Sequence, residues 1–238
     1  MTDLIPTRVH NLIIVDESGS MECIRKQAFT GMNDTLQTIR MMQKKHINQL
    51  QYVTLITFDS DHTKLHYDNT PADKTADLKW KAYHPNAATP LYDAIGKGIS
   101  KVKAAIEREQ NQACLDSAER EQARPKVSAQ VEDGDHVLVT IITDGYENCS
   151  EEWTLKMVRN LIEKLKKQNW TFTLIGTDNL DVKEMAHSFA IEEHMEFQQD
   201  DAGTKAMFAR ERRSRERYNC CVAEDAAMPV GSFFKEEN

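Results

Sequence analysis

With 238 residues, 40% hydrophobic and 29% charged, the chain is long enough to bury a full core without disulfide or metal staples. A net charge of −8 argues against nucleic acid or an anionic membrane as the partner of its surface. The first residues lack the apolar segment of a signal peptide, and no apolar run approaches the roughly 20 residues that span a bilayer, so a cytoplasmic protein is expected. The five cysteines, Cys23, Cys114, Cys149, Cys220 and Cys221, follow neither a zinc pattern nor a disulfide framework and read as reduced thiols.

Strands and helices alternate along the chain. Residues 11–15 (NLIIV) form a short apolar run that stops at an acidic loop, as a buried parallel strand does. Ile24, Ala28, Met32, Leu36, Ile39 and Met42 then recur at three or four residues and predict a long amphipathic helix, with Ser20 as a cap for its first turn. Residues 52–58 (YVTLITF) predict a second strand, 59–62 a turn, and 63–67 an antiparallel edge strand. Residues 69–88 are polar, contain Pro71 and Pro85, and read as loop with room for a short helix. Thr89 and Pro90 suit the cap and first position of a second long helix, whose buried face is Leu91, Ile95, Ile99, Val102 and Ile106.

Residues 107–135 are polar and interrupted by Pro125; they read as an insertion, either a helical extension or a loop. Residues 136–143 (HVLVTIIT) are the most apolar strand and belong at the centre of the sheet. Leu155, Val158, Ile162 and Leu165 mark a further helix, 171–175 a strand, 182–189 a short helix, 195–197 a last strand and 204–217 a last helix. This order predicts an α/β fold, doubly wound, with a mainly parallel sheet, one antiparallel edge strand and helices on both faces. One domain is expected over 8–217, followed by a tail over 218–238 that lacks periodicity and reads as flexible.

In such sheets, ligands bind at the carboxyl ends of strands where the strand order reverses. Three of the loops there carry oxygen-bearing side chains: Asp16, Ser18 and Ser20 in one Asp-x-Ser-x-Ser run, Thr89 before a helix, and Asp144 after the central strand. Alternate spacing lets a tight loop, eased by Gly19, turn three oxygens toward one point. Hard oxygen donors suit Mg²⁺ or Mn²⁺, which favour about six of them. With only two carboxylates, a bound metal keeps positive character and an appetite for one further acidic ligand.

The stretches VDESGSM, ATPLYDA and TDGYEN resemble the von Willebrand factor A (VWA) family, in the manner of an intracellular, bacterial-type member. The resemblance covers residues 8–197 and matches all five positions of the family's metal-ion-dependent adhesion site: Asp16, Ser18, Ser20, Thr89 and Asp144. It implies that the serines and the threonine hold the metal directly, while the aspartates act through bound water. It implies Mg²⁺, with Mn²⁺ or Ca²⁺ as alternatives, and a non-enzymatic module that captures an Asp or Glu of a protein partner. Assemblies containing ATPases are a common setting for such members. Engagement would draw Thr89 onto the metal and shift the last helix, near Thr204.

Two other functions compete. A Mg²⁺-dependent phosphohydrolase of the haloacid dehalogenase type also begins with a strand and an aspartate, as in LIIVD. Its second aspartate, however, is Ser18 here, which leaves no general acid, and Asp144 is followed by Gly145 rather than by a second acid. A structural subunit with a vestigial metal site is the third reading. Asp178 and Asn179 read as a turn that could instead line the metal's rim; Asp59 and Asp61 read as turn residues rather than a second metal site. His62 and His66 suit surface or edge positions, and Cys220-Cys221 reads as a pair of ordinary thiols. Glu17 reads either as a partner contact or as solvated. The run RERRSRER over 210–217 reads as a solvated helix face in preference to a dock for an acidic partner, and the terminal GSFF as either folded back or a recognition segment.

Overall fold

The computed structural model describes residues 6–120, 135–226 and 228–235, and the side chains of all of these except 113–120. Six strands make one sheet: β1 (Thr7–Asp16), β2 (Gln49–Phe58), β3 (Thr63–Pro71), β4 (Asp135–Thr143), β5 (Trp170–Thr177) and β6 (Glu193–Phe197). They lie in the order β3-β2-β1-β4-β5-β6. Every neighbouring pair is parallel except β2 and β3, so the antiparallel edge strand lies where the sequence predicts it. The chain first builds outward from β1 to β3, then returns to lay β4 on the other side of β1. The switch point therefore falls between β1 and β4.

Two-sided burial explains the apolar strands. Alternate residues of β1 enter opposite cores: Leu12 and Ile14 one, Val9, Ile13 and Val15 the other. The first core is closed by α2 (Leu91–Arg120), α3 (Leu155–Leu165) and α4 (Val182–Ser188). The second is closed by α1 (Arg25–Lys45), α5 (Asp201–Ala223) and the terminal Phe233 and Phe234. Each large aliphatic side chain so buried stabilises the fold by about 1.5–3 kcal/mol. None of the described helices is long and apolar enough to cross a membrane.

Several boundaries differ from those the sequence suggests. The first long helix is preceded by a 3₁₀ segment over Gly19–Ile24, and Ser20 caps neither. Of the two readings of 107–135, the helical extension holds over its first part: α2 runs through residue 107 to Arg120, a stretch free of Gly and Pro and rich in Ala, Glu, Gln and Arg. The rest of the supposed insertion, 121–134, lies outside the described residues. α5 continues past 217 to Ala223, and Phe233 and Phe234, 0% and 5% exposed, fold back into the second core, while residues 224–226, 229 and 230 between them are exposed.

Helix-to-loop packing is tight at Gly96 in α2, where a Cβ would lie 2.0 Å from the Trp153 indole. Gly96→Ala should therefore lower stability by about 1–3 kcal/mol, through displacement of Trp153, as measured by urea unfolding.

Candidate metal centre

β1 ends at Asp16 and β4 at Thr143, side by side at the switch point. Asp16 is 0% exposed and its two oxygens are fixed separately. Oδ1 accepts from the Ser18 amide at 2.7 Å, and Oδ2 accepts from the Thr143 hydroxyl at 2.6 Å. The Tyr83 hydroxyl donates to the Asp16 carbonyl at 2.7 Å and holds the strand end from below. From Asp144, Oδ1 accepts from the Ser20 hydroxyl at 2.8 Å, while the Ser18 and Ser20 hydroxyls lie 3.2 Å apart. A continuous chain of polar atoms thus joins Asp16, Ser18, Ser20 and Asp144. Ser20 is exposed, so the cluster opens to the surface there.

Thr89 joins from α2's leading loop. Its backbone is clamped both ways by Asn148: the Thr89 amide donates to Asn148 Oδ1 at 2.9 Å, and the Asn148 amide donates to the Thr89 carbonyl at 3.2 Å. The expected capping role of Thr89 belongs to other residues. Glu147 accepts from the Tyr92 amide at 2.9 Å, and Ser150 accepts from the Asp93 amide at 3.1 Å. Thr89 instead packs beside Asp144's neighbour, since a Cβ on Gly145 would lie 3.0 Å from Thr89 Oγ1. Lacking that Cβ, Gly145 lets the threonine hydroxyl come close to the aspartate loop.

The electrostatics of the cluster are one-sided. Burial pushes Asp16 up to about 6, against hydrogen bonds from Thr143 and Ser18 that favour its charge, and the charge of Asp144 pushes it further up. Burial likewise raises Asp144, against hydrogen bonds from Ser20 and Gln199. Among the described residues, no lysine, arginine or histidine forms an ion pair with either carboxylate: the partners are the Ser18 amide and Thr143 hydroxyl for Asp16, and the Ser20 hydroxyl and Gln199 amide for Asp144. Two buried carboxylates, with hydroxyls and amides as their only partners, form a donor set of hard oxygens with uncompensated negative charge. That set fits a small divalent cation.

The sequence missed three participants. Thr143 was hidden as the last residue of an apolar strand, although a polar residue at that position was a signal. Asn148, the last residue of TDGYEN, was given no role there and acts through Thr89. Gln199 comes from the β6–α5 loop, where its side-chain amide donates to Asp144 Oδ2 at 2.6 Å. Asp178 and Asn179 act on Gln199: Asp178 accepts its amide at 3.2 Å, and Asn179 donates to its Oε1 at 3.3 Å. They line the rim indirectly, as supports for a residue that reaches the cluster. Glu17 is neither solvated nor a surface contact. It is 0% exposed, receives Lys64 Nζ at 2.7 Å and the His84 amide, and ties the 84–88 loop to the Asp16 loop.

Asp59, Asp61 and His62 gather in the β2–β3 turn, where Asp59 Oδ1 accepts the amides of Asp61 and His62 at 2.8 and 2.7 Å. These are the hydrogen bonds of a turn, and the ligand atoms of the three side chains also lie within 4.8 Å of one another. His62 is exposed, and His66 lies on the edge strand bonded to Thr57 at 2.8 Å. Cys23, Cys149, Cys220 and Cys221 are free thiols.

No family model and no curated protein matches the sequence. Solved structures do match the fold. The vWF domain of the type V pili tip protein Mfa5 from Porphyromonas gingivalis aligns with a TM-score of 0.53 at 11% identity, over 90% of this chain and 96% of that one. The SpRpn10 VWA domain aligns with a TM-score of 0.51 at 12% identity, over 86% and 94%. The fold is of the von Willebrand factor A type. Pilus adhesin SpaC from Lactobacillus rhamnosus GG shares this VWA-type fold, with a TM-score of 0.57 at 10% identity, over 94% of this chain and 31% of SpaC. The chain spans less than half the length of several of the proteins it matches. At these identities the likeness is one of fold, and the VWA-type frame accounts for the strand order and the placement of the loops.

Proposed function

We propose that this chain is a protein-binding module whose VWA-type fold holds a divalent cation, Mg²⁺ in the first instance, through Asp16, Ser18, Ser20, Thr89 and Asp144. The observation that carries the reading is the pair of buried, uncompensated carboxylates joined through Ser18 and Ser20 at the sheet's switch point. A bound cation would supply a Lewis-acidic position with affinity for a carboxylate. The chain's own residues do the rest. Thr143 and the Ser18 amide orient Asp16, Gln199 orients Asp144, and Asn148 fixes the height of Thr89. Ser20 is exposed, so a partner's Asp or Glu can approach from that side. The pilus adhesin SpaC, among the structural neighbours, agrees with a binding role.

A phosphohydrolase is disfavoured by the same geometry. Ser18 stands where a second acid would be needed, and its hydroxyl is within the Asp16–Asp144 chain rather than poised as a proton donor to a leaving group.

Binding to an array of immobilised peptides tests the reading. Acidic peptides should be retained in Mg²⁺, released by chelator, and lost when their Asp and Glu are replaced by Asn and Gln. Thr89→Ala should weaken retention by about tenfold or more, equivalent to about 1.4 kcal/mol. Retention that ignores the chelator and the peptide's carboxylates would remove the basis for this function.

A further inference from the structure

At the edge of the sheet opposite the Asp16 cluster, the chain binds its own end. Glu193, at the start of β6, accepts three successive backbone amides: Oε1 those of Gly231 and, at 3.1 Å, Ser232, and Oε2 that of Phe233 at 2.9 Å. Two arginines of α5 take the carbonyls. Arg217 donates to Ser232 O at 3.0 Å and Phe233 O at 2.6 Å, and Arg210 donates to Phe234 O at 3.0 Å. The two phenylalanine rings anchor the segment by their side chains, and Met228 packs against the same core. They meet edge to face at 4.9 Å between centroids, and Phe233 leans on Tyr218 at 6.2 Å. One carboxylate and two guanidiniums therefore read a bare peptide backbone, and an apolar socket reads two adjacent aromatics.

The amides of Glu224, Asp225 and Ala226 close on the end of α5, and Met228 packs against the core, but much of the connection to this seat faces solvent. Residues 223–226, 229 and 230 are exposed, and Asp225 has a left-handed φ of 52°. The seat is also larger than its occupant. A cleft of about 610 Å³ runs on beside the segment, lined by His136, Trp170, Val222, Met228 and Val230 among others.

We propose that the α5–β6 face is a peptide-recognition site for short segments carrying two adjacent aromatic residues, filled in cis by the chain's own residues 231–234. The site lies apart from the Asp16 cluster and does not depend on the metal reading. It also gives the RERRSRER run a role, since its first and last arginines are the carbonyl clamps.

The test places a protease cleavage sequence at the exposed residues 229 and 230 and cuts it after the full chain has folded. The severed tail should stay with the body at micromolar concentration. A fluorescent peptide of residues 228–238 should exchange with it saturably, and the same peptide with Phe233→Ala and Phe234→Ala should bind about tenfold weaker or less. Glu193→Gln in the body should weaken the native peptide to a similar degree. A folded, cut body that binds neither peptide, or binds both alike, overturns the proposal. Should cutting unfold the body, hydrogen exchange in the intact chain decides. Amides of Gly231, Ser232 and Phe233 that exchange by local opening, faster than those of β1, support a detachable ligand; exchange only with β1 means the segment is integral core and the proposal fails.

Discussion

In metal-free buffer at pH 7, Asp16→Asn is expected to be more stable than the wild type by about 2–3 kcal/mol. Asp16 carries its charge in a fully buried position, and burial raises its carboxyl from the ordinary 3.8 to about 6. A shift of about two units corresponds to about 3 kcal/mol held against the folded state when the group is ionised. Asparagine removes the charge and keeps the geometry. Its carbonyl oxygen can still accept from the Ser18 amide, and its amide can donate to the Thr143 hydroxyl, which also bonds to the Gly145 carbonyl at 3.1 Å. Because the folded pKa is the raised one, the wild type's deficit is complete above about pH 6 and disappears as pH falls toward 3.8. The gap between the two proteins should close over that window. Comparing the pair cancels the buried His10 and the half-buried His66 and His136, whose pKa values are lowered by burial and which therefore favour the fold at higher pH. Urea unfolding in chelator at several pH values measures this. A variant less stable than the wild type at pH 7 would mean that Asp16 is a structural residue.

The second large effect is expected at Arg215, which is 0% exposed in α5. It pairs with Glu211 at 2.5 Å and donates to Asn11 at 2.6 Å and Thr140 at 2.9 Å, on the two central strands. Arg215→Met leaves Glu211 buried and charged without its partner and strips Asn11 and Thr140 of a donor. A loss of about 3–5 kcal/mol follows. Glu211→Leu combined with Arg215→Met should lose less than the single change, because no unpaired charge remains. Equal losses in the single and double variants, read from urea midpoints, would show that the cavity and the stranded Asn11 and Thr140 oxygens dominate instead.

That same arginine marks the limit of what the sequence reveals. The strand–helix alternation was legible because two-sided burial forces near-continuous apolar runs such as LIIV and VLVTII. The loops that gather Asp16, Ser18, Ser20 and Asp144 were legible because the switch point tells where the strand-end loops meet. RERRSRER read as a solvated face, because nothing local distinguishes an i,i+4 Glu–Arg pair turned outward from one turned inward. The distinguishing signal lay elsewhere, in Asn11 and Thr140, polar residues in the middle of central strands that needed a buried partner. Glu17 was opaque for a similar reason: its partners, Lys64 and His84, belong to other segments. Gln199 reaches Asp144 across 55 positions and no spacing rule connects them. The tail escaped because two phenylalanines and a run of backbone bonds leave no periodicity.

Calorimetric titration of chelator-stripped protein with Mg²⁺, repeated with Mn²⁺, addresses the central claim directly. The expected result is one cation per chain, abolished in Asp16→Asn, with saturating metal raising wild-type stability by about 2.7 kcal/mol at a hundredfold excess over Kd. Absence of binding to the wild type, or equal binding to Asp16→Asn, would contradict the account.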